Sequence, residues 1–158
     1  MNIKLFAASV LLAGIAVAGP ASAQPDTSAD PISGTVSLNW GFEPDPHVIA
    51  VRAGGSEAAS SISGDCQGFV SVSPDVRLVY QAGDHPLIIS ADSRADTTLV
   101  VNAPDGQWYC DDDGGRNGIN PSVRFNTPMS GSYEVWVGTY SEGETQAARL
   151  HISEVESR

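Results

Sequence analysis

From residue 35 onward, apolar residues recur at every second position in short runs, and each run is stopped by Gly, Pro, Asp or Asn. A period of two is the signature of a strand with one buried face. No window places apolar residues at spacings of three, four and seven over three turns, so long helices are excluded. The candidate strands are Thr35–Phe42, His47–Ala53, Gln67–Ser73, Val76–Gln81, Leu87–Ala91, Thr97–Ala103, Gln107–Cys110, Ser122–Asn126, Ser132–Tyr140 and Ala147–Glu154. Between them lie turn signals such as Pro44-Asp45-Pro46, Gly54-Gly55, Pro74-Asp75 and Pro104-Asp105-Gly106. The segment Ser56–Ser63 allows one short helical turn at most. Parity assigns the faces: Leu99 and Val101 oppose Val100 and Asn102, and Leu87, Ile89 and Ala91 oppose Ile88, Ser90 and Asp92. Likewise Tyr133, Val135 and Val137 oppose Glu134, Trp136 and Gly138, and Leu150 and Ile152 oppose Arg149, His151 and Ser153. So many short strands in one chain predict an all-β fold, an antiparallel sandwich of two packed sheets over residues 35–155. A closed barrel is the alternative.

The ends carry other signals. Residues 1–23 have the form of a secretory signal peptide: Lys4 at the start, the uncharged apolar run Leu5 to Ala18, Pro20, and the small residues Ala21-Ser22-Ala23 at the cleavage position. The run is shorter than the roughly 20 residues that cross a bilayer. Cleavage predicts an exported chain, periplasmic or extracellular, with no membrane insertion. Residues 24–34 show no periodicity and predict a flexible lead-in. Loss of Lys4, the only charge in the removed segment, takes the net charge from −11 to −12. Such an excess of carboxylates argues against binding nucleic acid or anionic lipid and is compatible with a cation or a basic partner.

Cys66 and Cys110 are the two cysteines of the chain. Export favours a disulfide between them, and two buried free thiols are the alternative. Asp111, Asp112, Asp113 and Asn117 form the densest cluster of oxygens, followed by glycines that let carbonyls turn inward, and Asp96 offers another carboxylate from a neighbouring loop. Hard cations take six to eight such ligands, so Ca²⁺ is one reading of this run and a solvated acidic turn is the other. An EF-hand is excluded, since its twelfth position is Ser122. His47, His85 and His151 are scattered, with no nucleophile elbow and no zinc-ligand spacing, so no catalytic residue is assigned. Trp108, Trp136 and Tyr140 form a possible partner surface if their face is outward; packing of Trp136 under a loop or in a second layer is the preferred reading.

The series Asp96-Thr97-Thr98-Leu99-Val100-Val101, Asp111-Asp112-Asp113-Gly114 and Pro128-Met129-Ser130-Gly131-Ser132-Tyr133-Glu134-Val135-Trp136-Val137 resembles, in order, the motifs of the bacterial pre-peptidase C-terminal domain. The similarity covers about residues 78–153. It implies a jelly-roll-like sandwich, an accessory role beside secreted peptidases, a protein or glycan partner, and Ca²⁺ at Asp96 and the Asp111–Asp113 loop. The expectation is therefore an exported, non-catalytic binding module. Two rivals are a small secreted hydrolase or diverged peptidase, and a structural part of an envelope assembly.

Overall fold

A computed structural model describes residues 24–116 and 118–158; the signal-peptide expectation over 1–23 and the ligand candidate Asn117 lie outside the described residues. Eleven strands form two sheets. Sheet A contains β1 (Thr35–Asn39), β3 (Glu57–Ala58), β4 (Phe69–Val70), β5 (Val76–Gln81), β7 (Thr97–Asn102), β8 (Trp108–Asp111) and β10 (Gly131–Thr139). Sheet B contains β2 (His47–Gly54), β6 (Leu87–Ser93), β9 (Ser122–Phe125) and β11 (Thr145–Ser153), in the order β2-β11-β6-β9. Every pairing is antiparallel except β1 with β5, which run parallel. The chain is an all-β two-sheet sandwich, as its alternation predicts. Ser56–Ser63 holds a single 3₁₀ turn, Ala59–Ser61.

The residues that parity grouped on one face of each strand lie in the core between the sheets. Leu78, Leu99, Val101, Tyr133, Val135 and Val137 of sheet A meet Leu87, Ile89, Ala91, Leu150 and Ile152 of sheet B, all fully buried. Each such Leu, Ile or Val side chain stabilises the fold by roughly 1.5–3 kcal/mol of apolar burial before entropy is counted.

Strand β10 organises sheet A. One flank pairs with β7 from Glu134 to Thr139. The other pairs with β5 up to Val135 and with β4 only at Thr139. Asp75 fills the gap. Its N–H donates to the Val135 carbonyl at 2.8 Å, and its Oδ2 accepts the Val137 N–H at 2.7 Å. The side chain thus replaces a ladder carbonyl where Ser73-Pro74 turns the chain away. The strand expected over Gln67–Ser73 shortens to Phe69–Val70 for the same reason.

The lead-in over residues 24–34 is anchored. It has no strand, but Asp26, Ile32 and Ser33 donate backbone N–H groups to the carbonyls of Val72, Pro74 and Asp75. Arg77 donates through Nη2 to the carbonyls of Thr27 and Ala29, and through Nε to Glu134 Oε1 at 2.6 Å. Polar composition suggested freedom; a partly buried arginine supplies the donors that tie it down.

Both outer faces are covered in part. At the margin of sheet A the segment 55–70 folds back as a flap: β3 and β4 pair within the sheet, and the 3₁₀ turn and loop between them cross its outer face. Ala59, Cys66 and Val70 of this flap pack with Val100 and Trp136 of the sheet in a second, smaller core. Gly138 makes room for it, since a Cβ there would meet the Phe69 carbonyl oxygen at 2.4 Å. Cys66 is disulfide-bonded to Cys110 of β8, so the flap is covalently tied down. Over sheet B runs a strap, residues 154–158. The Arg158 N–H donates to Ser90 Oγ at 3.1 Å, and the Arg116 N–H to the Arg158 carbonyl at 3.4 Å. Ile88, Ser90 and His151, outward by parity, are buried.

Candidate functional site

Three loops meet at one end of the sandwich: β6–β7, β8–β9 and β10–β11. Asp111, the last residue of β8, closes the middle loop. Its Oδ2 accepts N–H groups from Gly114 at 2.8 Å and Ser122 at 2.7 Å. A carboxylate is suited to this because it accepts more than one backbone donor. Asn120 then braces the loop against its neighbour. Its Oδ1 accepts the Ser93 N–H at 3.0 Å and the Thr97 hydroxyl at 2.8 Å, and its Nδ2 donates to the Ser93 carbonyl at 3.2 Å. The Thr97 N–H donates to the Ile119 carbonyl, and the Tyr140 N–H to the Asp96 carbonyl. The loops are therefore held by one another.

The sequence candidates separate on this frame. Asp111 spends one carboxylate oxygen on backbone donors. Asp112 and Asp113 stand with Asp96 across the rim. Burial, and then the negative charges of Asp113 and Asp112, hold the Asp96 carboxyl above its ordinary range. Among the described residues, no three His, Cys, Asp or Glu side chains gather as a metal-holding group.

The aromatic surface is corrected. Trp136 is fully buried under the flap, with its ring 5.4 Å from that of half-buried Trp108. It packs under a loop, the preferred sequence reading. Only Tyr140 remains open, half exposed at the acidic rim, where Ile119 is also exposed. Glu142 and Glu144, from the β10–β11 loop, add carboxylates to the same end.

His85 Nδ1 lies 3.9 Å from Glu154 Oε2. His151 is buried, and neither ring nitrogen has a hydrogen-bond partner. Its nearest acid is Asp92, 3.8 Å from Nε2, and burial lowers its pKa.

Sequence reasoning missed Asn120, Asp75 and Glu154. Asn120-Pro121 carried a turn signal, but nothing local shows that the amide reaches β6 and β7. Glu154 accepts the Tyr80 hydroxyl and the Gly41 N–H, both far away in the chain.

No family model matches the chain, and no curated protein matches it. Among solved structures it is similar to PliG of Aeromonas hydrophila, a periplasmic lysozyme inhibitor of g-type lysozyme, at 17% identity and a TM-score of 0.37, covering 79% of this chain and 98% of that one.

Proposed function

We propose that the protein is an exported, non-catalytic binding module whose acidic rim meets a positively charged protein surface. The observation that carries this is the convergence of Asp96, Asp112, Asp113, Glu142 and Glu144 on loops braced by Asp111 and Asn120, with Tyr140 and Ile119 exposed among them. Rim carboxylates speed encounter with a basic surface, and an amphipathic aromatic supplies the contact that holds. Bracing lowers the ordering cost on binding. The disulfide suits a periplasmic or extracellular setting. The resemblance to the pre-peptidase C-terminal domain supports an accessory role.

Binding of the purified protein to a panel of cationic secreted proteins, a g-type lysozyme among them, tests this by interferometry at two salt concentrations. A true partner binds more weakly at high salt, and Tyr140→Ala combined with Asp112→Asn and Asp113→Asn weakens it at least tenfold. A panel without a binder, or a binder indifferent to those changes, overturns the reading.

A second reading is Ca²⁺ at Asp96, Asp112 and Asp113, favoured by the burial of the Asp96 carboxyl beside two further carboxylates, which together raise it. A cation there would relieve that repulsion. A ligand at 100 times its dissociation constant adds about 2.7 kcal/mol to stability. Melting in EDTA and then in millimolar Ca²⁺ decides it, and coincident curves remove the metal.

A further inference from the structure

The half of sheet A away from the flap presents a hydrogen-bonding face with little charge. Leu78, Tyr80, Tyr133, Val135 and Val101 point into the core, so their strand neighbours point outward. Register then sets three rows on the outer face of β1, β5, β10 and β7. They are Arg77–Glu134–Asn102, Ser37–Val79–Ser132 and Asn39–Gln81. Ser37, Asn39, Val79 and Gln81 are exposed.

Two hollows lie side by side on this face and share Ser130 and Gly131. One, of about 440 Å³, is walled by Thr27 of the lead-in and by Pro104 and Gly106 of the β7–β8 turn, with Asn102, Ser132 and Glu134 on the sheet. The other, of about 400 Å³, lies over Ser37, Asn39, Val79 and Gln81. Glu134 is the one charged residue lining either hollow, and Arg77 Nε balances it at 2.6 Å. In a chain of net charge −11 that neutrality sets the face apart. Its polar groups still have bonds to make. Glu134 Oε1 accepts from Arg77 and Ser132, whereas Oε2 is buried without a donor. Asn102 gives Nδ2 to the Gly106 carbonyl and Gln81 gives Nε2 to Ser130 Oγ, and each keeps an amide oxygen to accept. Ser130 Oγ also accepts the Ala82 N–H, so its own proton is left to donate.

We propose that this face binds an uncharged oligosaccharide, with one sugar ring in each hollow. Sugar hydroxyls donate and accept at once, and serine, asparagine and glutamine side chains answer both needs. Each hollow has the size of a small-molecule site, and a hydroxyl given to Glu134 makes a charge-assisted hydrogen bond. Val79, 42% exposed at the centre of the middle row, offers an apolar contact to the C–H face of a ring. A cationic ligand gains little, because Arg77 already balances Glu134. An anionic one meets the repulsion of the whole chain. A peptide strand adds to a sheet edge, through backbone groups that a sheet face does not offer. This site is separate from the acidic rim, and its failure leaves that reading untouched.

The probes are maltotriose, cellotriose and chitotriose, with trigalacturonic acid as the anionic control. Each is titrated into nitrogen-15-labelled protein, and amide shifts in the NMR spectrum read both affinity and location. At least one neutral trisaccharide gives saturable shifts at millimolar concentration, and the control gives none. The shifts fall on Ser37–Asn39, Val79–Gln81 and Gly131–Ser132 and on the side-chain amide of Asn102. Asn39→Ala combined with Gln81→Ala, both at exposed positions, weakens binding at least fivefold at an unchanged melting temperature. Asn102→Ala weakens it from the other hollow. The proposal is overturned by any of four results: no saturable shift with any neutral trisaccharide, shifts elsewhere than this face, binding indifferent to both variants, or trigalacturonic acid bound as tightly.

Discussion

On the outside of sheet A, Trp136 and Val100 lie under a flap that buries Ala59, Cys66 and Val70 and is closed by a disulfide; on the outside of sheet B, His151 and Ser90 lie under a five-residue polar strap, anchored at its start by hydrogen bonds of Glu154 and held beyond that by one bond to the Ser90 hydroxyl, one between backbone groups of Arg116 and Arg158, and the ion pairs Arg116–Glu156 and Arg158–Glu156. Both sets of residues were outward by parity, and both are buried. One cover removes apolar surface from water and is covalently fixed. The other leaves two imidazole nitrogens without partners. Burial depth is equal on the two faces, yet the energy that secures it differs. Exposed ion pairs contribute little, whereas a second core contributes several kcal/mol. The sheet A cover is structural, and the sheet B cover is the one that opens first.

The strongest way to break this contrast is Trp136→Ala, expected to cost about 3–5 kcal/mol in urea denaturation. Trp136→Phe sharpens it. Trp136 Nε1 has no partner, so only volume is lost, and the cost should fall well below that of alanine. A Trp136→Ala protein as stable as the parent would remove the second core from the argument.

Reduction of Cys66–Cys110, or Cys66→Ser with Cys110→Ser, comes next. The 44-residue separation corresponds to about 4 kcal/mol in the chain-entropy treatment. The flap should lose amide protection while sheet B keeps its own. Equal loss in both sheets would show that the flap is not an independent cover.

The two sheets should also differ in pH response. Burial pushes the Asp75 carboxyl up to about 7, partly offset by the Val137 N–H. The folded state then holds a proton that the unfolded chain has released above its ordinary 3.8, so stability falls as pH rises from about 4 to 7, by on the order of 3 kcal/mol. Asp75→Asn keeps an acceptor for Val137 and should flatten that slope, read from urea midpoints at pH 4 and pH 8. His151 acts in the opposite sense. Its pKa is lowered, so the unfolded chain takes up the proton first, and stability falls as pH drops below about 6.5. Arg149 and Arg158 add to that lowering, and Asp92 opposes it.

His151→Leu is the smallest change. It removes two unpartnered nitrogens, leaves stability at pH 7 unchanged or raised by about 1 kcal/mol, and abolishes the acid-side loss. Amide exchange at pH 5.5 checks the location: the parent should lose protection at Ser90 and along the strap, and the variant should keep it. Acid-side loss that persists in His151→Leu would assign it to another group.

What the sequence determined is the period-two arithmetic. It placed Leu87, Ile89, Leu99, Val101, Tyr133, Val135, Leu150 and Ile152 in one core, because side-chain direction in a strand is local. The two cysteines were legible as a pair, and Asp111–Asp113 as a loop. Tertiary structure alone decided the rest. Whether an outward residue meets water depends on where residues 55–70 and 154–158 travel, and nothing within two positions of Trp136 or His151 encodes that. Asp75 and Asn120 read as turn residues because their partners, Val137 and the β6–β7 backbone, are distant in the chain. The same holds for the open edge of β2: an edge is the absence of a neighbour, and neighbours are assigned only when the whole chain has closed.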